Sequence, residues 1–137
     1  MTTIRGVGIL VNKNIRGALL EWNPISERII TARIQTKLRN MSIVQCYAPT
    51  ENVELDEKEA FYSLLHKTLI GIKRSDIIVM MGDFNAQLGN NNQDNEHIMG
   101  RYGIPCDKEN ENGQLLIELF RKHGLVIGFS HIRKDTR

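Results

Sequence analysis

The sequence has little of what would anchor a chain in a membrane or build a zinc site. Its two cysteines, Cys46 and Cys106, lie far apart and neither belongs to a CxxC pair. A zinc site is therefore not expected, whereas reduced, intracellular thiols are, and Cys46 should be a small buried residue. No apolar run approaches the roughly 18–20 residues that cross a bilayer, and no signal segment opens the chain. We expect an intracellular protein, nuclear or cytoplasmic, without a membrane partner.

Strong net charge and the common nucleotide and hydrolase motifs are absent as well. A formal net charge of +2 neither requires nor excludes a nucleic-acid partner, because binding depends on clustered charge. The chain has no GxGxxG that opens a helix, no GxxxxGK[ST] and no GxSxG. Its four histidines show neither HxH nor HExxH spacing, so a dedicated transition-metal site is not expected. A length of 137 residues with 41% hydrophobic content fits one globular domain.

The first half of the chain predicts strands. Short runs rich in β-branched residues, bounded by turn residues, are typical of strands in a sheet. The predicted strands are Arg5–Asn12, Gly17–Trp22 ended by Asn23-Pro24, Arg28–Thr36 and Met41–Tyr47. Because their connections are short, we expect an antiparallel meander.

The second half alternates between helices and strands. Apolar residues at helical spacing predict a helix over Asp56–Ile72, and the apolar run Asp76–Met81 predicts a strand buried on both faces. Residues 82–112 predict a long polar loop. Asn112 should cap a second helix that ends at Gly124, and Leu125–Gly128 should be a last strand. The fold class is α/β or α+β.

Asp83 and Asn85 are the first candidate site residues, since they directly follow the predicted strand Asp76–Met81. Loops at strand ends often hold ligands, and Gly82 would let the backbone turn sharply there. A carboxylate can orient a water or hold a metal, and a carboxamide can donate to a phosphate oxygen. Both residues are also common turn formers, so a purely structural role stays open.

Two other segments have functional and structural interpretations. Tyr47 ends its predicted strand, so its hydroxyl could meet the same phosphate, or its ring could simply pack there. The segment Asn110–Gly113 precedes the second helix, whose N-terminus could attract an anion. The residue types favour structural capping of that helix as the role of this segment.

Five stretches of the chain together resemble one known family. They are GVGILVN at 6–12, ISERIITARIQTKLRNMSIVQCYAPTE at 25–51, DIIVMMGDFNAQLG at 76–89, NENGQLLIEL at 110–119 and LVIG at 125–128. In this order and separation they resemble the endonuclease/exonuclease/phosphatase superfamily. The likeness is greatest to the apurinic-endonuclease-like domain of RTE or Bov-B retrotransposons and to domesticated relatives called craniofacial development proteins. It spans almost the whole chain, and YAPT followed by GDFNA is its specific part.

This resemblance implies a DNase I-like fold, a two-sheet β-sandwich flanked by helices, that binds Mg²⁺ or Mn²⁺ and cleaves phosphodiesters in DNA. The family's water-activating Asp matches Asp83. Its phosphate-contacting Asn and Tyr match Asn85 and Tyr47. Oriented water and donors for developing negative charge are what such a displacement needs.

The sequence departs from the family's pattern towards both ends. No residue matches the family's early Asn or its metal-binding Glu, so the metal ligand is not assigned. No segment matches the family's closing Asp-His pair, and residues 132–137 match its preceding motif only in part, so His131 is not assigned as the catalytic histidine. We expect residues 1–137 to form a partial domain that lacks the family's N-terminal and C-terminal strands. Its activity should be weak or absent, because such groups act as a unit.

Three further expectations accompany this interpretation. The chain could instead be a domesticated binding or scaffold module that keeps the fold without the chemistry. A phosphatase acting on a small molecule is a weaker third hypothesis, since the superfamily contains such enzymes. Missing neighbouring strands should also leave sheet edges open to self-association.

Overall fold

The computed structural model describes residues 5–90, 92–102 and 106–133. These residues form an α+β arrangement, which confirms the predicted general class. The elements are β1 Leu19–Ser26, β2 Ile29–Ile34, β3 Met41–Tyr47, α1 Leu55–Ile70, β4 Ile77–Asp83 and α2 Glu111–His123, with short 3-10 helices at Lys13–Ala18 and Gly128–His131. The chain divides into two compact units, one of Met1–Pro49 with Ser63–Phe84 and one of Thr50–Tyr62 with Asn85–Arg137.

The first unit contains a four-stranded mixed sheet in the order β1-β2-β3-β4. β1, β2 and β3 pair antiparallel, which confirms the predicted meander for these three strands. β4 pairs parallel to β3, with Met41 opposite Ile77 and Tyr47 opposite Asp83. A parallel pair needs a long crossover, and α1 lies in that connection.

Two of the strands predicted in the first half of the chain differ clearly from the structure. Arg5–Asn12 has no regular secondary structure and leads into a 3-10 helix, whose first turn is capped by the Asn12 side chain. Leu10 is fully exposed while Val7, Ile9 and Val11 are half-buried, so the apolar alternation is present although no paired strand is described for the segment. The strand predicted at Gly17–Trp22 is not ended by Asn23-Pro24 but runs from Leu19 to Ser26 as β1. β1 is the first strand in the sheet order, where a residue without an N–H is tolerated.

Ala32, which pairs with Ile43, is buried on one face of the sheet, and most of the buried strand residues lie on the other face. Ile29, Val44 and Cys46 are fully buried there, and burial raises the pKa of the Cys46 thiol to about 12, as expected for a small core residue. The prediction that the strand from Asp76 is buried on both faces is wrong. Ile77 and Met81 remain 44% and 46% exposed, because β4 is the last strand of the described sheet.

The two edges of the sheet differ. β1 carries Pro24 and two register shifts, both of which discourage an added strand. β4 pairs with β3 in unbroken register from Ile77 to Asp83. Self-association through sheet edges stays a prediction, and β4 is the edge that it concerns.

A buried ion pair ties β2 to the start of β4 in the first unit. Arg33 donates from Nε and Nη2 to the two carboxylate oxygens of Asp76, at 2.7 and 3.0 Å. Ser42 Oγ donates to the same carboxylate at 2.8 Å. The Asp76 side chain is only 1% exposed, and the hydrogen bond from Arg33 holds its pKa down to about 2.

In the second unit, α2 begins two residues earlier than predicted. Asn110, not Asn112, is the N-cap, because it has extended backbone angles and its side chain accepts from the Gly113 N–H at 2.8 Å. Asn112 is fully buried inside the first turn. The predicted end is confirmed, since Gly124 adopts a left-handed φ of 62° as the C-cap.

The long loop before α2 is confirmed over its described residues, where only isolated bridges occur. Leu88 pairs with Glu109, and Met99 pairs with Ile127. The strand predicted at Leu125–Gly128 is therefore reduced to a single bridge at Ile127. The chain turns away at once because Ser130 Oγ donates to the Ile127 carbonyl at 2.6 Å and fixes a 3-10 turn.

Candidate functional site

The carboxyl ends of β3 and β4 bring two of the predicted residues together. Because these strands are parallel and in register, Tyr47 lies opposite Asp83 at the same end of the sheet. Residues paired in register direct their side chains to the same face. The Ala48 N–H donates to the Asp83 carbonyl at 2.8 Å, which continues the ladder past the end of β3.

Gly82 has a different role from the predicted one. It does not turn the chain before Asp83 but lies within β4, opposite Cys46, with a φ of +135°. A Cβ atom at this position would lie 1.9 Å from the Cys46 carbonyl oxygen. Only glycine therefore allows β4 to approach β3 closely enough to set Asp83 beside Tyr47.

The surroundings of the two residues suit different tasks. Asp83, the last residue of β4, is exposed to solvent, so its carboxylate can reach water. Tyr47 is half-buried. Tyr47 is therefore partly covered by its neighbours, while Asp83 lies at the solvent-exposed end of β4.

Sequence reasoning missed Arg28, which contacts Tyr47 directly. Arg28 is 8% exposed and its Nη1 donates to the Tyr47 carbonyl at 3.2 Å. Its guanidinium carbon lies 5.5 Å from the centre of the Tyr47 ring. The signal was available, because an antiparallel hairpin of the predicted strands Arg28–Thr36 and Met41–Tyr47 places the start of the first beside the end of the second.

Asn85 belongs to the second unit and follows Asp83 by two residues along the chain. It has a left-handed φ of 47°, which asparagine tolerates better than most residues. Its carbonyl accepts from Asn110 Nδ2 at 2.9 Å. The segment Asn110–Gly113 thus has the predicted capping role, and it also fixes the backbone at a predicted site residue.

A buried lysine in the second unit was also missed. Lys58 is 1% exposed, and its Nζ donates to Glu111 Oε2 at 2.7 Å and to the Glu51 carbonyl at 2.8 Å. The hydrogen bond to Glu111 raises the pKa of Lys58. Glu51 Oε1 in turn accepts from the Glu111 N–H at 3.2 Å. These contacts join the start of α1 to the start of α2, so we assign the cluster a structural role.

Within residues 5–90, 92–102 and 106–133, no three His, Cys, Asp or Glu side chains are grouped so that they could hold a metal ion. His131 Nε2 lies 3.2 Å from the Ile98 carbonyl oxygen. Of residues 132–137, which match the family's motif before its closing Asp-His pair only in part, residues 134–137 lie outside the described residues. None of the helices described is long and apolar enough to cross a bilayer.

Comparison with known proteins gives two relatives. The chain is 37% identical over 132 residues to craniofacial development protein 2 of Bos taurus and 33% identical over 132 residues to that of Tragulus javanicus. Each alignment covers 96% of the chain and 22% of the relative, so the chain spans about a fifth of the length of these proteins. No family model matches the chain. The predicted similarity to craniofacial development proteins is confirmed, and membership of the endonuclease superfamily stays a prediction.

Proposed function

We propose that this chain supplies part of the site of a metal-dependent enzyme that hydrolyses phosphodiesters in DNA. We further propose that it derives from the endonuclease domain of a retrotransposon and has the DNase I-like sandwich fold. The observation that carries the proposal is the register of β3 and β4, which pairs Tyr47 with Asp83 at one end of the sheet. This register sets the first residue of the YAPT motif beside the Asp of the GDFNA motif, which supports the proposal.

Asp83 is proposed to orient the attacking water and accept its proton. An exposed carboxylate at the end of a strand can contact both solvent and an incoming phosphate. Gly82 supports this role because it brings the strand close to Cys46 and so fixes the backbone that carries the carboxylate. General-base catalysis of this kind contributes about 10²–10⁴-fold to a rate.

Tyr47 and Asn85 are proposed to donate hydrogen bonds to phosphate oxygens. A phenol and a carboxamide both have donors for the negative charge that develops in the displacement. For Tyr47 the proposal rests on its register with Asp83 as well as on the resemblance. For Asn85 it rests on the resemblance and on the GDFN motif alone.

The resemblance implies Mg²⁺ or Mn²⁺ at this site. Mg²⁺ commonly takes only one or two protein carboxylates, with phosphate oxygens and water completing its shell. No ligand for the ion is assigned among the described residues, because no three His, Cys, Asp or Glu side chains are grouped there and Asp83 is proposed to act on the attacking water. The bound metal would supply charge neutralisation at the phosphate.

The experiment measures both DNA binding and DNA cleavage. Cleavage alone would not be enough, because the family's metal-binding Glu has no match within residues 1–137 and cleavage should be weak. Binding of a fluorescent duplex with a phosphorothioate backbone is measured by anisotropy in Mg²⁺ and in EDTA. Nicking of supercoiled plasmid is measured in Mg²⁺ and in Mn²⁺. The variants are Tyr47→Phe and Asp83→Asn, and Glu118→Gln removes one exposed carboxylate from α2 as the control.

We expect binding that requires Mg²⁺ and that Tyr47→Phe weakens by about tenfold, the value of one hydrogen bond to a charged group. Any nicking should fall by at least about 100-fold in Asp83→Asn. Glu118→Gln should change neither quantity. DNA binding that is indifferent to EDTA and to both site variants would instead establish the binding or scaffold module.

A further inference from the structure

Arg28 is a buried cation beside the candidate site, and none of the roles described so far uses it. It directly precedes β2, and its N–H donates to Ser26 Oγ at 3.1 Å within the tight β1–β2 turn. A charged residue that is only 8% exposed would be costly to bury without good partners. The turn thus fixes the backbone of Arg28 in the fold, and its side chain must be paired with groups near that turn.

Tyr47 receives three contacts from this one residue. The Tyr47 N–H donates to the Arg28 carbonyl at 2.9 Å, and Arg28 Nη1 donates to the Tyr47 carbonyl at 3.2 Å. The guanidinium carbon lies 5.5 Å from the ring centre, within the range of a cation–π interaction. Both the backbone and the ring of Tyr47 are therefore held from the same side.

The contacts restrict the freedom that a tyrosine at a strand end would otherwise have. Tyr47 is the last residue of β3, where a side chain has fewer neighbours than in the middle of the strand. Two contacts to its backbone restrict the direction of the Cα–Cβ bond, and the guanidinium over the ring occupies space into which the ring would otherwise rotate. Tyr47 is thus held at the end of the sheet where Asp83 lies in register with it.

We propose that Arg28 is a positioning residue for Tyr47, which orients the tyrosine hydroxyl for contact with a phosphate oxygen of DNA. This inference rests on the proposed function for the phosphate, but the restriction of the ring by Arg28 does not. The guanidinium is suited to the task because it is planar, so it stacks on the ring while its N–H groups donate in the same plane. A lysine keeps the charge and loses both features.

The test uses 19F NMR of the chain labelled with 3-fluorotyrosine, together with the DNA-binding assay. The three tyrosines give three signals, and the Tyr47 signal is assigned by its loss in Tyr47→Phe. Arg28→Lys and Arg28→Gln should shift or broaden that signal and leave those of Tyr62 and Tyr102 unchanged. Arg101→Lys is the matched control, because Arg101 stacks on the exposed Tyr102 ring at 5.9 Å.

Binding then tests whether the two residues act through one another. Arg28→Lys should weaken DNA binding by a factor similar to that of Tyr47→Phe, and the double variant should be no weaker than Tyr47→Phe alone. The thermal unfolding of Arg28→Lys and Arg28→Gln is compared with that of the parent. A melting temperature equal to that of the parent shows that a weaker affinity comes from lost positioning and not from unfolding. If Arg28→Lys does not fold, Arg28→Gln is used for the test.

Two failures are distinguishable. If Tyr47→Phe leaves binding unchanged, the proposed phosphate contact is wrong, and the NMR result still decides whether Arg28 holds the ring. If Tyr47→Phe weakens binding while both Arg28 variants leave the Tyr47 signal and the affinity unaltered, the positioning role of Arg28 is wrong.

Discussion

At the scale of single residues, the missing side chain of Gly82 determines how closely β4 approaches β3. A Cβ there would lie 1.9 Å from the Cys46 carbonyl oxygen, on a backbone with a φ of +135°. We expect Gly82→Ala to lower the free energy of unfolding by at least about 3 kcal/mol, from backbone strain and overpacking together. Urea denaturation measures this. Gly128→Ala, where nothing lies within 4 Å, should change stability by less than about 1 kcal/mol. Equal stability of the two variants would contradict the close approach.

At the scale of elements, the start of α2 depends on more than an ordinary helix cap. Asn110 Oδ1 accepts from the N–H groups of Gly113 and Gln87, at 2.8 and 2.9 Å, and its Nδ2 donates to the Asn85 carbonyl. We expect Asn110→Ala to cost about 2 kcal/mol, the upper end for a cap, because the loop contacts are lost as well. Asn110→Asp keeps both accepted bonds and should cost less. Thermal and urea unfolding compare the two, and an equal loss would show that the amide donor, not the cap, carries the effect.

At the scale of the whole molecule, acid should weaken the fold through one buried carboxylate. Arg33 holds the pKa of Asp76 at about 2, below its ordinary value of 3.8. A carboxyl with a lowered folded-state pKa stabilises the fold fully above its unfolded pKa, and this contribution disappears as the pH falls through the folded value. The loss should therefore lie between about pH 4 and pH 2. Urea unfolding from pH 7 to pH 2 should show a steeper decline for the parent than for Asp76→Asn, and parallel curves would contradict this.

How far the sequence could predict the structure depended on whether the deciding contacts were local. Met41–Tyr47 was predicted with its observed bounds because its β-branched run and the turn residues around it are local signals. Arg5–Asn12 has the same kind of run, but a strand needs a partner, and none is described for it. Asn110 and Asn112 are both good caps by type. In the structure the cap is Asn110, whose side chain also accepts from the N–H of Gln87, and this contact between residues distant in the chain is not visible in the local sequence.

The residues of the candidate site could be predicted from the sequence, but their arrangement in space could not. Tyr47 and Asp83 were identified as polar residues at strand ends, from local patterns and the resemblance. Their alignment depends on the parallel register of β3 and β4, which no local pattern specifies. The position of Arg28 follows from a hairpin that the sequence did predict, so its contact with Tyr47 was within reach.

The parallel pairing of β3 with β4 also has a consequence for the order of folding. β1, β2 and β3 are joined by short turns and can pair quickly, whereas β4 pairs only after the chain has formed the long connection that contains α1. Arg28 and Tyr47 meet within the early hairpin, so we expect the tyrosine to be ordered before Asp83 arrives. On the ribosome the same order would apply, because β2 and β3 emerge well before β4 is synthesised.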